Sequence, residues 1–254
     1  MQVLVCVKRV PVTGGRITLT PDEQEIDTRY LGFTVSPHEE CGVEEAVRLI
    51  ERHGGACVVL TLGPPEAEEQ LRDAMALGAD RAILLQTDGA DWDPMATARA
   101  ITRTIRDQES ANGAFDLVLF GNESADSCGH QVGVRVAHAL GRPCVTGVKA
   151  IELGAGGAVA RREAAGGWEV FEVPLPAVLG VKEGLNLPRY PSLPGRLKAK
   201  KRPLERIAPD PEPGGQRKVR LMHPPERGKD VEVLGSGPEA APRVVEVLRK
   251  AGVL

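Results

Sequence analysis

The sequence predicts an α/β protein: a three-layer, doubly wound, mainly parallel sheet with an antiparallel extension and a C-terminal arm. Three observations predict it. Four short aliphatic runs within the first 120 residues are apolar on both faces, as in strands covered by helices on each side, whereas a strand with one wet face would alternate. Between those runs apolar residues recur at helical spacing, so strand and helix alternate as in parallel βαβ units. After Pro143 the texture changes to short β-like pieces parted by glycines, and then to a proline-rich basic stretch.

In chain order, the first strand spans 2–8 and runs into Arg9, Val10 and Pro11. A helix follows in which Val43, Ala46, Val47 and Ile50 fall at i, i+3, i+4 and i+7. The second strand, 56–62, closes on Gly63-Pro64-Pro65, and the third covers 81–86. Met95, Ala98, Ile101 and Ile105 trace a second helical stripe, and the fourth strand, 115–120, ends in GNESADSCGHQVG ahead of a helical 134–140. Segments 145–153, 159–162, 168–173 and 177–181 read as strands of the antiparallel extension. From 187 to 225 too few apolar positions recur to build a core, so this stretch reads as an arm lying on another surface. Val244, Val247 and Leu248 mark a short closing helix. The chain thereby divides into an α/β domain, 1–185, and a loop-and-arm region, 186–254.

Composition excludes several classes. With 254 residues, 42% of them hydrophobic, the chain has ample material for a core. Its 35 acidic and 32 basic residues leave a formal charge of −3, which calls for neither nucleic acid nor an anionic membrane as a global partner. Aromatic residues make up 3%, too few for a platform of stacked rings. No apolar run approaches the roughly 20 residues that span a bilayer, and no signal-peptide pattern opens the chain, so the expectation is a cytoplasmic protein. Five cysteines, odd in number and without a C-x-x-C pair, indicate neither a disulfide framework nor a metal site.

In a parallel α/β sheet, ligands bind beyond the carboxyl ends of the strands, where helix amino termini present free N–H groups. Of the strand-end loops, 121–133 is the richest: Ser127, Gly129 and Gln131 are placed to offer amides and side-chain donors to a phosphate. Ordinary capping by Asp126 or Ser127 accounts for the same residues. The chain has no P-loop, no G-x-G-x-x-G after the first strand and no G-x-S-x-G elbow. Its histidines are scattered, and although His38 and His130 fall in candidate loops, neither is assigned as a general base; no catalytic residue is expected. Between Pro188 and Ile207 seven basic residues stand against one acid. A solvated tail is the plain reading of that stretch, but Leu193, set beside Pro194 on a proline-stiffened basic loop, resembles a docking knob, with Lys198 and Lys201 on its basic flank.

Taken together, VKRV (7–10), SPHEECGVEEA (36–46), GADRAILL (78–85), DLVLFGNESAD (116–126), QVGVRVA (131–137) and NLPRYPSLPGRLKAKK (186–201) resemble the beta subunits of electron transfer flavoproteins over nearly the whole chain. The resemblance implies a Rossmann-like, adenine-nucleotide-binding domain at 1–185. It also implies that 186–254 docks partners and packs on an alpha subunit that holds most of the redox FAD. This subunit would bury a structural AMP, replaced by a second FAD in bifurcating relatives, and would perform no bond chemistry itself. Carried over position by position, the nucleotide contacts would be Cys6, Ser36, Pro37, His38, Glu39, Leu62 and Leu117, together with Gly121, Asn122, Glu123, Ser124, Ala125, Asp126, Ser127, Cys128, Gly129, His130, Gln131 and Val132. Thr13 and His38 would approach the FAD of the partner. Acyl-CoA-type or other flavin dehydrogenases would dock at Leu193, and a membrane quinone oxidoreductase would make a peripheral contact. The chain departs from the family at Ser127 and Cys128, where acids are common, and at Glu123, where glutamine is frequent; amide contacts to phosphate tolerate such changes better than ribose or base recognition does. An adenine-nucleotide-binding regulator of the stress-protein kind and an ATP-dependent enzyme of the same layered fold are the competing readings. The former has no use for residues 186–201, and the latter's S-G-G-x-D-S loop is missing after the first strand.

Overall fold

The computed structural model describes all residues except 13, 15, 16, 155, 211–213 and 226–230. Residues 1–219 form one compact unit and 220–254 a second. The chain runs β1 (Gln2–Cys6), β2 (Val10–Pro11), β3 (Phe33–Thr34), α1 (Pro37–His53), β4 (Ala56–Gly63), α2 (Glu68–Leu77), β5 (Arg81–Gln86), α3 (Pro94–Asn112), β6 (Leu117–Gly121), α4 (Val132–Leu140), β7 (Cys144–Gly154), β8 (Gly157–Ala164), β9 (Gly167–Val173), β10 (Ala177–Val181), α5 (Leu193–Ala199) and β11 (Leu204–Ile207). In the second unit, α6 (Ala241–Lys250) follows a 3₁₀ turn. Among the described residues no helix is long and apolar enough to cross a membrane.

Nine strands form one sheet in the order β11-β5-β4-β1-β6-β10-β7-β8-β9. From β11 to β7 all neighbours are parallel, and β7-β8-β9 are antiparallel. Alternate residues of β1 serve two cores. Val3 and Val5, with Val7 just past the strand, pack with Val43, Ala46 and Leu49 of α1 and Leu71 and Met75 of α2. Leu4 and Cys6 pack with Ala98, Ile101 and Ile105 of α3 and Val136 and Ala137 of α4. Both faces are therefore dry, which is why these strands read as unbroken apolar runs.

Two expectations are corrected. The segment 177–181, assigned to the antiparallel extension, is β10, a central strand parallel to β6 and β7 with every residue buried. Its pattern is that of the other core strands; its place after two hairpin strands hid it. Strand β7 is shared: its start pairs parallel with β10 and its end antiparallel with β8, and the register shifts near Gly147, whose φ of 72° lies in the left-handed region. The stretch read as an arm also contributes structure, since α5 packs on α2 and β11 pairs Leu204 to Ile207 with Ala82 to Leu85 at the sheet edge. An edge strand needs main-chain pairing more than an apolar run, so LERI carries little signal.

The placement of β10 is testable. Leu179, fully buried at the centre of the sheet, should cost about 2–5 kcal/mol when changed to Ala. Val170 on β9 is 57% exposed, and its change to Ala should cost no more than about 0.5 kcal/mol. Urea unfolding of both variants checks this; equal small losses would place residues 177–181 at a sheet margin.

Candidate functional site

The strand order reverses at β1, with β4 on one side and β6, reached only after β5, on the other. That is the topological switch point, where a crevice opens beyond the strand ends. Cys6 and Gly121 end the two strands there, α1 starts at Pro37, and the loop 122–131 closes the rim before α4.

Long-range contacts bind these parts together. Glu39, in the first turn of α1, is 6% exposed, and its carboxylate accepts the amides of Lys8 (3.0 Å) and Ser36 (3.1 Å). A Cβ on Gly121 would lie 2.6 Å from Glu39 Cγ, so only glycine lets β6 come this close to α1. Lys8 Nζ reaches Asp126 Oδ2 at 2.6 Å. Ser36 Oγ donates to the carbonyl of Glu123 (3.4 Å). The Glu183 amide donates to His38 Nδ1 (2.7 Å), which leaves the ring proton on Nε2, 3.2 Å from Glu123 Oε1; His130 Nε2 lies 2.9 Å from Oε2 of the same carboxylate. Asn122 accepts the Gly147 amide at 2.8 Å and so fastens the loop to the bend in β7.

The electrostatics differ residue by residue. Burial pushes the Glu39 carboxyl up to about 8, against the opposing pull of its two amide donors and the Lys8 ammonium. Burial also pushes Asp126 up, but Lys8 outweighs it and holds the carboxyl below its ordinary value. Buried Cys6 is held as a thiol by desolvation, far above its ordinary value, which suits packing rather than attack. In the loop, Cys128 (φ 47°) and His130 (φ 52°) adopt left-handed conformations uncommon outside glycine, and Ser124 and Ser127 pair their hydroxyls at 2.9 Å.

The helix amino termini are not equivalent. In α1 the first turn carries Glu39 and Glu40, and α3 is capped by Asp93, whose carboxylate accepts the Ala96 amide. No side chain caps α4, and its first turn holds no acid. An anion in the crevice would meet unsatisfied amides and a positive dipole end only at α4, with Lys8 on the opposite wall. The α4 amino terminus is thus the helix end at this rim able to receive an anion.

Of the residues singled out from sequence, Cys6, Ser36 to Glu39 and the loop 121–132 lie around this crevice. Leu117 does not: it opens β6, four residues or roughly 13 Å from Gly121, and is fully buried. Leu62 lies near the end of β4, packed against the core under α3 and α4. Thr13 falls outside the described residues. Leu193 opens α5 and is 72% exposed, and Lys198 and Lys201 are exposed beside it. Sequence reasoning missed Lys8 and Glu183 as members of the site. Lys8 stood inside VKRV, yet nothing local marks a lysine whose partner is 118 residues away.

Glu39 generates a pH prediction. A carboxyl raised from 4.5 unfolded to about 8 folded contributes stability that is complete below 4.5 and is lost as pH rises through 8. Gln is neutral at every pH but can accept only one of the two amides, so Glu39→Gln should lie below wild type in Tm near pH 5, and the gap should narrow progressively toward about pH 9. A constant difference across that range would mean that Glu39 is ionised throughout.

The electron transfer flavoprotein domain matches residues 25–212. The chain is 34% identical over 258 residues to the electron transfer flavoprotein subunit beta of Bacillus subtilis (strain 168), covering 98% of both chains. The corresponding subunit of Syntrophomonas wolfei is 34% identical over 253 residues, 98% of this chain and 96% of that one. That of Thermoanaerobacterium thermosaccharolyticum is 35% identical over 201 residues, 78% and 75%. With a domain match over most of its length and full-length likeness to beta subunits, the chain belongs to the electron transfer flavoprotein family, among its beta subunits.

Proposed function

We propose that this chain holds AMP in the crevice between β1 and β6 as a structural ligand and, paired with an alpha subunit that carries most of the FAD, passes electrons from flavin dehydrogenases in the cytoplasm. The observation that carries the nucleotide reading is the uncapped, acid-free start of α4 at the switch point, with Lys8 reaching Asp126 in the loop that precedes it. The phosphate falls to the amides at the start of α4 and of residues 129–131, and Ser36, Pro37 and His38 form the opposite wall. FAD, when bound, supplies the electron chemistry. His38, held by Glu183 and Glu123, is the crevice residue assigned to the flavin side.

Purified with its alpha partner and denatured, the heterodimer should release one AMP beside a single FAD, told apart by mass, with the blue absorption accounted for by one flavin; FAD alone would remove AMP from the crevice. A second flavin in place of AMP would mark the bifurcating type; no nucleotide at all would end the proposal.

Dehydrogenase docking is assigned to Leu193, whose own side chain stands exposed on a basic segment. Leu193→Ala should weaken docking by about 2 kcal/mol, roughly thirtyfold, while flavin and nucleotide contents stay unchanged. Flavin reduction by a cognate dehydrogenase at sub-saturating carrier measures it, and equal rates for variant and wild type would remove the docking role from Leu193.

A further inference from the structure

The motifs VEEA on α1 and NLPRY after β10 lie about 140 residues apart in sequence, and the fold ties them into one unit. Glu44 is 1% exposed. Its Oε2 accepts the Arg189 amide (3.1 Å) and Nε (2.9 Å), and its Oε1 accepts Arg189 Nη2 (3.2 Å) and Arg48 Nε (2.5 Å). Arg189 also forks onto Glu51, at 2.6 and 2.9 Å. Asn186 Nδ2 donates to Glu45 (3.0 Å) and to the Cys41 carbonyl (3.1 Å), and Arg48 Nη2 donates to the Leu187 carbonyl (3.0 Å). Residues 186–189 are thereby stapled along three turns of α1.

The far end of the segment is fastened as well. Arg72 Nη1 on α2 donates to the carbonyls of Ala199 (2.7 Å) and Arg202 (2.9 Å), and Arg202 donates back to those of Met75 and Ala79. A Cβ on Gly195 would sit 2.5 Å from the Ala76 carbonyl oxygen, so α5 rests directly on α2. Between the staples the chain holds out Tyr190 (96% exposed), Leu193 (72%) and Leu197 (56%), the two leucines one turn apart on α5. Polar bonding of this density, including a buried carboxylate, fixes a segment whose own apolar groups face water. Fixing them beforehand removes the ordering entropy that association would otherwise cost.

We propose that Glu44, through Arg189, is a positioning residue that presets residues 190–197 as a rigid apolar ridge for the dehydrogenase. This rests on the docking role assigned above to Leu193. The test uses the alpha–beta heterodimer and a flavin dehydrogenase, with KM for the carrier and kcat measured separately. Glu44→Gln should raise KM about tenfold with kcat and the flavin and nucleotide contents unchanged, because only the preset geometry is lost. Arg189→Lys, which keeps the charge but not the fork, should do the same and serves if the first variant does not assemble. In the Leu193→Ala background either change should raise KM by less than it does in wild type, since only Tyr190 and Leu197 remain to be positioned. A lowered Tm with unchanged KM, or effects that multiply with Leu193→Ala, would make Glu44 a fold-stabilising residue only. An unaltered KM for Leu193→Ala alone would instead remove the docking role itself, and the inference with it.

Discussion

The rest of the structure depends on the close approach of α1 to the end of β6, where Gly121 leaves no room for a Cβ beside Glu39. With the first turn of α1 seated there, Glu39 can bond to Lys8 and Ser36 at once, and Lys8 is left to reach across the crevice to Asp126. A bulkier residue at position 121 would lift the helix from the sheet and open all of these contacts together. Packing enforces the seat from beneath, because Val43, Ala46 and Leu49 of the same helix are almost fully buried against the sheet.

Helix α1 is also where the two halves of the proposed function meet. Its amino end walls the crevice, while Glu44, Glu45, Arg48 and Glu51 along its length hold the segment that leads to Leu193. A helix packed on a dry sheet is stiff, so its two ends keep a constant geometry. The proposed ligand site and the proposed docking segment thus share one rigid element.

Two glutamates on that helix show how environment, not residue type, sets charge. Burial raises Glu39, and two amide donors and a lysine at greater reach do not reverse it. Burial also pushes Glu44 up, but hydrogen bonds from Arg189 and Arg48 outweigh it and hold the carboxyl below its ordinary value. The first group is a buried acid near neutrality and the second a fixed anion, although both side chains are nearly inaccessible to water.

Sequence by itself determined the alternation of strands and helices through residue 140, because apolar runs wet on neither face and stripes at helical spacing are local records of burial. It also pointed to the strand-end loops as the place for a ligand, since that follows from the parallel sheet and the helix dipole alone. Only the tertiary structure decided the neighbours. Nothing in AVLGV says that it lies between β6 and β7, nothing in LERI that it closes the sheet edge, and nothing in VKRV that Lys8 meets Asp126. Residues 187–225 read as an arm because the fixing of their first part is largely polar and long-range, through Glu44, Arg72 and Arg202, and leaves no apolar periodicity. Periodicity records which face of an element is buried; it carries no information about what buries it, and hydrogen bonds between residues more than a hundred positions apart exist only once the chain has folded.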